Sequence, residues 1–491
     1  MSQSRISEEV LLGKGSEPFA AGPFPRRLGI LNDYVRIPYA NGSSFASQLL
    51  YREFSARGHD VSVVGPRDPL ATSAELPRRH VELPSLPLRI HPGVHMPFPS
   101  REALATVAAQ NFDIVLGQTG SALLELGIWL RRTRGVPMLC VNTIHLASVY
   151  DVILPDVLHA SERFKGFCES TVVPFMEAAS ARMYNASDGL IVLSEGLKSY
   201  WQERGVRVPI HVIPRCIDPS VFDGVDRPDP FPQTAPRGHR LLCICRHTRE
   251  KSVSRLLRIF AELVAPAVPD ATLTLVGDGP DHDVFRAEAL ELGIADRTFF
   301  PGEQALADIS GWYQHADVFV YSSLSETYGQ VVSEALWSGL PVVAFEDGMG
   351  VSQQIDAGRN GILVPPGPDE RAANWRFASE VAALLRDPAR RHMFGQTARR
   401  LARERSSVPV AVGRYYQAFE SAREHCLRTR HGKRDRALLP IWRWTALHSL
   451  TCALGTLRAP AVLNRNGQRQ PGWDHIELVD SWEREHSLGA E

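Results

Sequence analysis

The chain has 491 residues, too many for one ordinary hydrophobic core, and this length points to two or three domains. Hydrophobic residues make up 44% and charged residues 22%, which excludes a disordered or fibrous chain, and a formal net charge of −1 leaves no global attraction to nucleic acid. The seven cysteines are odd in number and scattered, which fits a reducing compartment better than a disulfide frame.

The first 27 residues lack an apolar core of signal-peptide length and read as a flexible leader. No uncharged apolar run reaches the roughly 18 residues of a spanning helix. From there the chain alternates. RRLGILND predicts a strand, FASQLLYREFSARG an amphipathic helix and HDVSVVGP a second strand, which is the β–α–β unit of a parallel sheet. FDIVLGQT, PMLCVNTIH, ASDGLIVLS and PIHVIPR continue the strands, with helical stretches between them. Their near-continuous apolar character fits strands covered on both faces.

Residues 219–238, rich in proline, read as a linker. The alternation then resumes with HRLLCICR, ATLTLVGDGP, DRTFFPG, ADVFVYSS and LPVVAFED as strands. The expected organisation is a leader (1–27), a first Rossmann-like domain (28–218), a linker (219–238), a second Rossmann-like domain (239–425) and a basic, aromatic tail (426–491). The fold class is α/β, two doubly wound domains facing across a cleft. Ligands in such sheets bind outside the carboxyl ends of the strands.

The chemistry concentrates at those ends. ADVFVYSS runs into LSETYGQVVSEALWSG, where Glu326 and Glu334 stand eight residues apart. A helix is expected to begin near Tyr328 and to stop at Gly339. Eight residues is slightly over two turns, so the two carboxylates reach different parts of one extended ligand. The backbone amides of Thr327, Tyr328 and Gly329 at the helix start form an anion site. A nucleotide-sugar has the matching chemistry, a phosphate flanked by hydroxyls. The bland alternative is that Glu326 caps the helix and Glu334 is a solvated surface charge.

CRHTREKSVSRLL places Arg246 and Lys251 between a strand and a helix, where two cations neutralise a diphosphate or simply form an exposed basic loop. In LVGDGPDHD, His282 occupies the place of the third glycine of a dinucleotide fingerprint, so that motif is rejected. Gly277 and Gly279 remain candidates for close backbone approach to a ligand. Asp281 and Asp283 read as helix-start residues rather than a metal pair, and Cys243 and Cys245 as buried thiols on one strand face. In the first half, Gly42 follows the first strand and His145 ends PMLCVNTIH. For His145, a cleft-facing ring and a structural hydrogen-bonded histidine both stay open.

Taken together, these segments resemble the retaining glycosyltransferases of the two-domain GT-B fold in glycosyltransferase family 4, over about residues 28 to 425. The closest likeness is ADVFVYSSLSETYGQVVSEALWSGLPVVA. SARGHDVSVVGP, IVLSEGLKSYWQERG, CRHTREKSVSRLL, LVGDGP and GRNGILVPPG follow the family in order. The resemblance implies that Arg246 and Lys251 hold the donor diphosphate and that Glu326 contacts the donor sugar hydroxyls. It implies that Glu334 binds the ribose hydroxyls, Gly42 lies near the donor phosphate and His145 stands beside the transferred sugar. It further implies retention of anomeric configuration without a catalytic metal or cofactor, the nucleotide-sugar being a substrate. The chain departs from the family at Cys245, which replaces a glycine, and at VIPRCID, where Arg215 and Cys216 replace Asn-Gly. YANGSS keeps one glycine where two are typical, and in EDGMGVSQQI Gly348 and Gly350 stand in for a glycine pair.

NTIHLASVYD, with His145 and Tyr150, is similar to the lipid-glycosylating and α-mannosyltransferase branch. The expected donor is UDP-glucose, UDP-galactose or GDP-mannose. The expected acceptor is a membrane lipid head group or, alternatively, a soluble saccharide or small molecule. A nucleotide-sugar epimerase or a non-catalytic nucleotide-sugar-binding protein is the reading from another class. In the tail, a basic run precedes ALLPIWRWTALHSLTCALGTL, which either lies on an anionic membrane or packs on the protein. The expected location is cytoplasmic, with or without peripheral contact at the inner face of the membrane, and no nucleic-acid partner is expected.

Overall fold

The computed structural model describes residues 24–32, 42–67, 77–87, 95–98, 100–118, 123–142, 162–224, 226–232, 238–324, 326–429 and 439–446. Most of the leader, His145, Tyr150 and most of the tail lie outside these residues.

The first sheet contains β1 (Arg27–Leu31), β2 (Asp60–Pro66), β3 (His80–Leu83), β6 (Ile114–Gly117), β7 (Met138–Val141), β8 (Gly189–Val192) and β9 (Ile210–Val212). β4 (Ser85–Pro87) and β5 (His95–Pro97) form a separate antiparallel ribbon. The order is β3-β2-β1-β6-β7-β8-β9, and every pair is parallel. β6, β7 and β8 are buried at every residue, because helices cover both faces.

The second sheet contains β10 (Arg240–Ile244), β11 (Thr272–Val276), β12 (Thr298–Gly302), β13 (Val318–Tyr321), β14 (Val342–Phe345) and β15 (Gly361–Val364). Its order is β12-β11-β10-β13-β14-β15, again parallel throughout. Strand order reverses between β1 and β6 in one sheet and between β10 and β13 in the other. At such a reversal the flanking connections leave in opposite directions and open a crevice at the carboxyl ends.

Three departures from the predicted organisation stand out. The helix Val408–Thr429 returns to the first lobe, where Val408, Val412, Tyr415 and Phe419 share a core with Leu28, Ile30 and Phe54. Residues 408–425 thus pack with the first sheet rather than the second. The proline-rich stretch 219–238 is only partly a linker: Val221 and Phe231 are buried in the second core, and Phe231 stacks edge-on against Trp312 at 5.0 Å. Within the tail, residues 439–446 are helical and pack on the first lobe. Trp444 is 1% exposed and donates from Nε1 to the Pro97 carbonyl at 3.0 Å. Arg443 reaches Glu125 at 2.7 Å.

The lobes touch beside the cleft. The Glu195 amide donates to Gln353 Oε1 at 2.7 Å, and a Cβ on Gly196 would overlap the Gly348 carbonyl.

Candidate active site

The loop after β10 and the loop after β13 meet at the reversal point of the second sheet. The first carries Arg246 and Lys251, and the second carries Glu326. Two serines lock these loops together. Ser322 Oγ donates to the carbonyls of Lys251 (3.1 Å) and Ser252 (3.0 Å), and Ser323 Oγ reaches the Glu250 carbonyl at 3.4 Å. Ser252 adopts a left-handed conformation (φ 54°) that turns the chain into the following helix, Val253–Ile259.

Lys251 and Glu326 form a close ion pair with side chains 16% and 12% exposed. Glu326 Oε1 also accepts from the Tyr321 hydroxyl at 2.7 Å and from Ser323 Oγ at 3.1 Å. Burial alone would push the carboxyl pKa up and the ammonium pKa down. Each partner's charge overrides it, holding Glu326 below and Lys251 above its ordinary value. Glu326 is therefore no helix cap. The helix runs Gln330–Trp337, two residues later than predicted, and its N-cap is Gly329 at φ 77° with no side-chain cap. Gly339, also left-handed at φ 78°, follows the helix end as expected.

Glu334 is not a surface charge either: it is 8% exposed and accepts from the Tyr313 hydroxyl at 2.8 Å. Burial raises its pKa to about 7, against the lowering by hydrogen bonds from Tyr313 and Gln330. It has no cation of its own among these causes, which sets it apart from Glu326.

Arg246 is half-exposed and lies 3.7 Å from Glu250, which Thr248 also engages at 2.6 Å. Gly277 and Gly279 admit this loop rather than open space. A Cβ on Gly277 (φ 130°) would overlap the Cys245 carbonyl, and one on Gly279 the His247 carbonyl. The His247 amide donates to the Asp278 carbonyl at 2.9 Å, and the two imidazoles of His247 and His282 hydrogen-bond at 2.9 Å beneath it. Burial, then the His282 charge, lowers the pKa of His247 to about 4. Asp281 occupies the N-cap position of the helix His282–Glu291 but makes no side-chain cap bond there. Cys243 and Cys245 are buried free thiols on β10 and its end.

Thr327 and Tyr328 sit in the loop before Gly329. Tyr328 is 4% exposed, with its hydroxyl 3.2 Å from Ser333 Oγ and 3.0 Å from Ser406 Oγ, so its side chain is turned into the protein. Gly350 packs against that backbone, and its amide donates to the Glu326 carbonyl at 3.1 Å. Asp347 fastens the neighbouring turn by accepting from the amides of Met349, Val351 and Ser352 at 2.9 to 3.0 Å. Gly42 opens the helix Gly42–Ala56 of the first lobe, and His145 falls outside the described residues. Sequence reading missed Tyr313, Tyr321 and the His247–His282 pair. No spacing links Tyr313 to Glu334 or His247 to His282, because they meet only when the sheet forms.

Comparison with known proteins agrees with this geometry. The family model described as Glycosyltransferase Family 4 matches residues 40–221, and that described as Glycosyl transferases group 1 matches residues 230–401. The alpha-monoglucosyldiacylglycerol synthase of Streptococcus pneumoniae is 27% identical over 330 residues, covering 65% of this chain and 70% of that protein. The GDP-mannose-dependent alpha-mannosyltransferase of Mycobacterium tuberculosis is 26% identical over 397 residues, covering 79% and 94%. Among solved structures, HepE of Anabaena with UDP and glucose is similar at a TM-score of 0.59 and 17% identity, covering 81% of this chain and 100% of that one. Sucrose-phosphate synthase of Thermosynechococcus elongatus gives 0.61 and 21%, with the same coverage. At these identities the structural likeness speaks for the fold, two Rossmann-like halves of the GT-B type. The chain belongs to glycosyltransferase family 4, whose members use nucleotide-sugars, and is a glycosyltransferase of the GT-B fold.

Proposed function

We propose that this glycosyltransferase moves a hexose from a nucleoside-diphosphate sugar to an acceptor hydroxyl with retention, giving an α-linkage, and without a catalytic metal. The observation that carries this reading is the convergence of Arg246, the Lys251–Glu326 pair and Glu334 around the start of one helix at a strand-order reversal. Arg246 and Lys251 neutralise the donor diphosphate, and the backbone of Thr327, Tyr328 and Gly329 adds the partial positive charge of the helix start. Glu326, held ionised by Lys251, accepts from the hexose hydroxyls. Glu334 accepts from the ribose hydroxyls. The leaving diphosphate takes the acceptor proton on the face that the hexose occupied, while the protein supplies position and charge stabilisation. His145 stands beside the transferred sugar and Gly42 beside the phosphates in this reading.

The acceptor is a lipid head group, a preference supported by the synthase relative that spans 65% of the chain. A soluble saccharide is the second choice, and an epimerase or non-catalytic binding protein is disfavoured by the family match. The test is a thermal-shift screen of UDP-glucose, UDP-galactose, GDP-mannose and ADP-glucose on wild type and on Glu334→Gln, which keeps an acceptor for Tyr313. One donor should raise the melting temperature of wild type and lose most of that shift in the variant. The anomeric proton coupling of the product then reads retention. A β-linked product overturns the mechanism, and the absence of any shift in a folded protein overturns the donor site.

A further inference from the structure

A buried pair of histidines underlies the loop that presents Arg246, and the donor chemistry gives it no part. The chain runs on past β10 beside the loop that follows β11. The Cys245 amide donates to the Val276 carbonyl at 3.1 Å, the His247 amide to the Asp278 carbonyl at 2.9 Å and the Asp281 amide to the His247 carbonyl at 3.1 Å. Gly277 and Gly279 permit this approach, since a Cβ on either would strike a carbonyl of the Arg246 loop. Burial alternates along that loop. Cys245 is 8% and His247 0% exposed, whereas the Arg246 side chain between them is 47% exposed. Anchoring both neighbours on the inner side leaves Arg246 on the outer one.

His247 is the inner anchor. Its ring lies 24° from parallel to that of His282, with centroids 4.9 Å apart, and edge-on to Phe285 and Phe300 at 5.8 and 6.2 Å. Within this apolar wall its Nδ1 meets Nδ1 of His282 at 2.9 Å, while its Nε2 is buried and has no hydrogen-bond partner among the described residues. The bond to His282 is thus the ring's single polar tie. Asp278 Oδ1 lies 3.4 Å from His282 Nδ1 and favours a proton there, so that His282 donates and His247 accepts. His282 opens the helix His282–Glu291, which is seated in the second core by Phe285 and Ala289. The pair therefore fastens the Arg246 loop to a rigid element, and a hydrogen bond fixes the ring's orientation where apolar contact alone would not.

We propose that the His247–His282 hydrogen bond is a positioning device for the donor diphosphate, holding the loop so that the Arg246 guanidinium meets the phosphates. The inference rests on the nucleotide-sugar reading above and adds two positioning residues to it. Neither imidazole contacts the ligand; both act through Arg246.

The test is a double-mutant cycle on the full chain: wild type, His282→Leu, Arg246→Gln and the two combined, with His282→Asn as the conservative variant. Each is checked for folding by thermal melting, and calorimetry measures its affinity for UDP and for GDP. His282→Leu fills the space but removes the tie, and should weaken whichever nucleoside diphosphate binds wild type by about tenfold. His282→Asn places an amide donor where Nδ1 stood, and should bind within about twofold of wild type. In the Arg246→Gln background, His282→Leu should change affinity by less than about twofold, because the group through which it acts is gone. Should His282→Leu fail to fold, His282→Gln, whose amide stands where Nε2 stood and misses His247, takes its place in the cycle with the same expectations. The proposal is overturned if the substitution lowers the melting temperature but not the affinity. It is overturned equally if the affinity falls by the same factor with and without Arg246, or if His282→Asn binds no better than His282→Leu. Nucleotide binding that needs Arg246 but ignores His282 sinks this proposal and leaves the donor reading. Absence of binding of either nucleotide to folded wild type sinks the donor reading and this proposal with it.

Discussion

Glu326 and Glu334 are chemically identical and eight residues apart, yet their surroundings drive them in opposite directions. Lys251 keeps Glu326 ionised, whereas Glu334 faces a tyrosine and its carboxyl pKa rises to about 7. The consequences for stability have opposite signs. Folding raises the Glu334 pKa, so its contribution is complete below the unfolded value near 4.5 and is lost as pH climbs through about 7. Glu334→Gln cannot ionise and should gain on wild type over that range, by about 3 kcal/mol at the alkaline end in urea unfolding. Donor binding should run the other way. In the proposed role of Glu334, ribose hydroxyls donate to the ionised carboxylate, so wild-type affinity should rise as pH climbs through about 7, while Glu334→Gln stays weak and flat in calorimetric titrations. For Glu326 the stabilisation is present above about 4.5 and is lost as pH falls through its depressed folded value. Lys251→Met strands a buried carboxylate and should cost about 3–5 kcal/mol at pH 7. The gap to wild type should narrow near pH 4, where the stranded group takes up a proton. A gap independent of pH would mean that the cost comes from lost packing and not from charge.

The loop that presents Glu326 owes its position to a neighbouring element, the short helix Gly350–Gln354. Gly350 lies against the Tyr328 backbone with no room for a Cβ, and Gln354 Nε2 donates to the carbonyls of Tyr328, Gly329 (3.3 Å) and Gly350 (3.1 Å). Gly350→Ala should therefore displace the 326–329 segment and lower donor affinity by about tenfold or more, with a loss of stability of about 1–3 kcal/mol from overpacking. Gly348→Ala is the control. Its Cβ would meet open space, and its left-handed φ of 64° costs about 1 kcal/mol, so donor affinity should hold. Equal effects in calorimetry would refute the positioning role of Gly350. These two glycines also show how far sequence reading reached. The run EDGMGV flagged both residues as a substitute pair, but only the packing assigns the close approach to Gly350. Eleven predicted strands appear in the two sheets, since continuous apolar runs between polar loops leave few other solutions. The edge strand β3 alternates burial over four residues and carried too little apolar signal to be found. Arg246, Lys251 and Glu326 were legible because they sit in loops at strand ends. The tyrosine partners of the two carboxylates were not: Tyr313, on the helix Leu306–Gln314, and Tyr321, at the end of β13, meet them only through tertiary packing, which leaves no local periodicity.

At the scale of the whole molecule, the chain returns to the first lobe once the second lobe's last helix ends at Ser406. The helix Val408–Thr429 covers one face of the first sheet, and residues 439–446 close over another region with Trp444 and Arg443. This bears on the two readings of the tail: the described piece packs on the protein through Trp444, while Trp442 two residues earlier is 70% exposed. The two tryptophans should separate cleanly. Trp444→Ala removes a fully buried side chain and the bond to the Pro97 carbonyl, and should cost about 3–5 kcal/mol in the unfolding of the first lobe. Arg443→Met takes the ion-pair partner from Glu125, whose carboxyl pKa burial already raises despite Arg443 and Arg132. That variant should unfold more readily at pH 8 than at pH 5, because the acid takes up its proton in the lower range. Trp442→Ala touches no core and should change stability by less than about 0.5 kcal/mol. Its effect belongs to surface contact: if the tail also meets an anionic bilayer, Trp442→Ala should weaken co-sedimentation with phosphatidylglycerol vesicles and leave the melting temperature alone. Should Trp444→Ala instead reduce vesicle binding with no loss of stability, the buried position of its ring in the free protein would be wrong, and the tail would have to be treated as a membrane segment that leaves the first lobe.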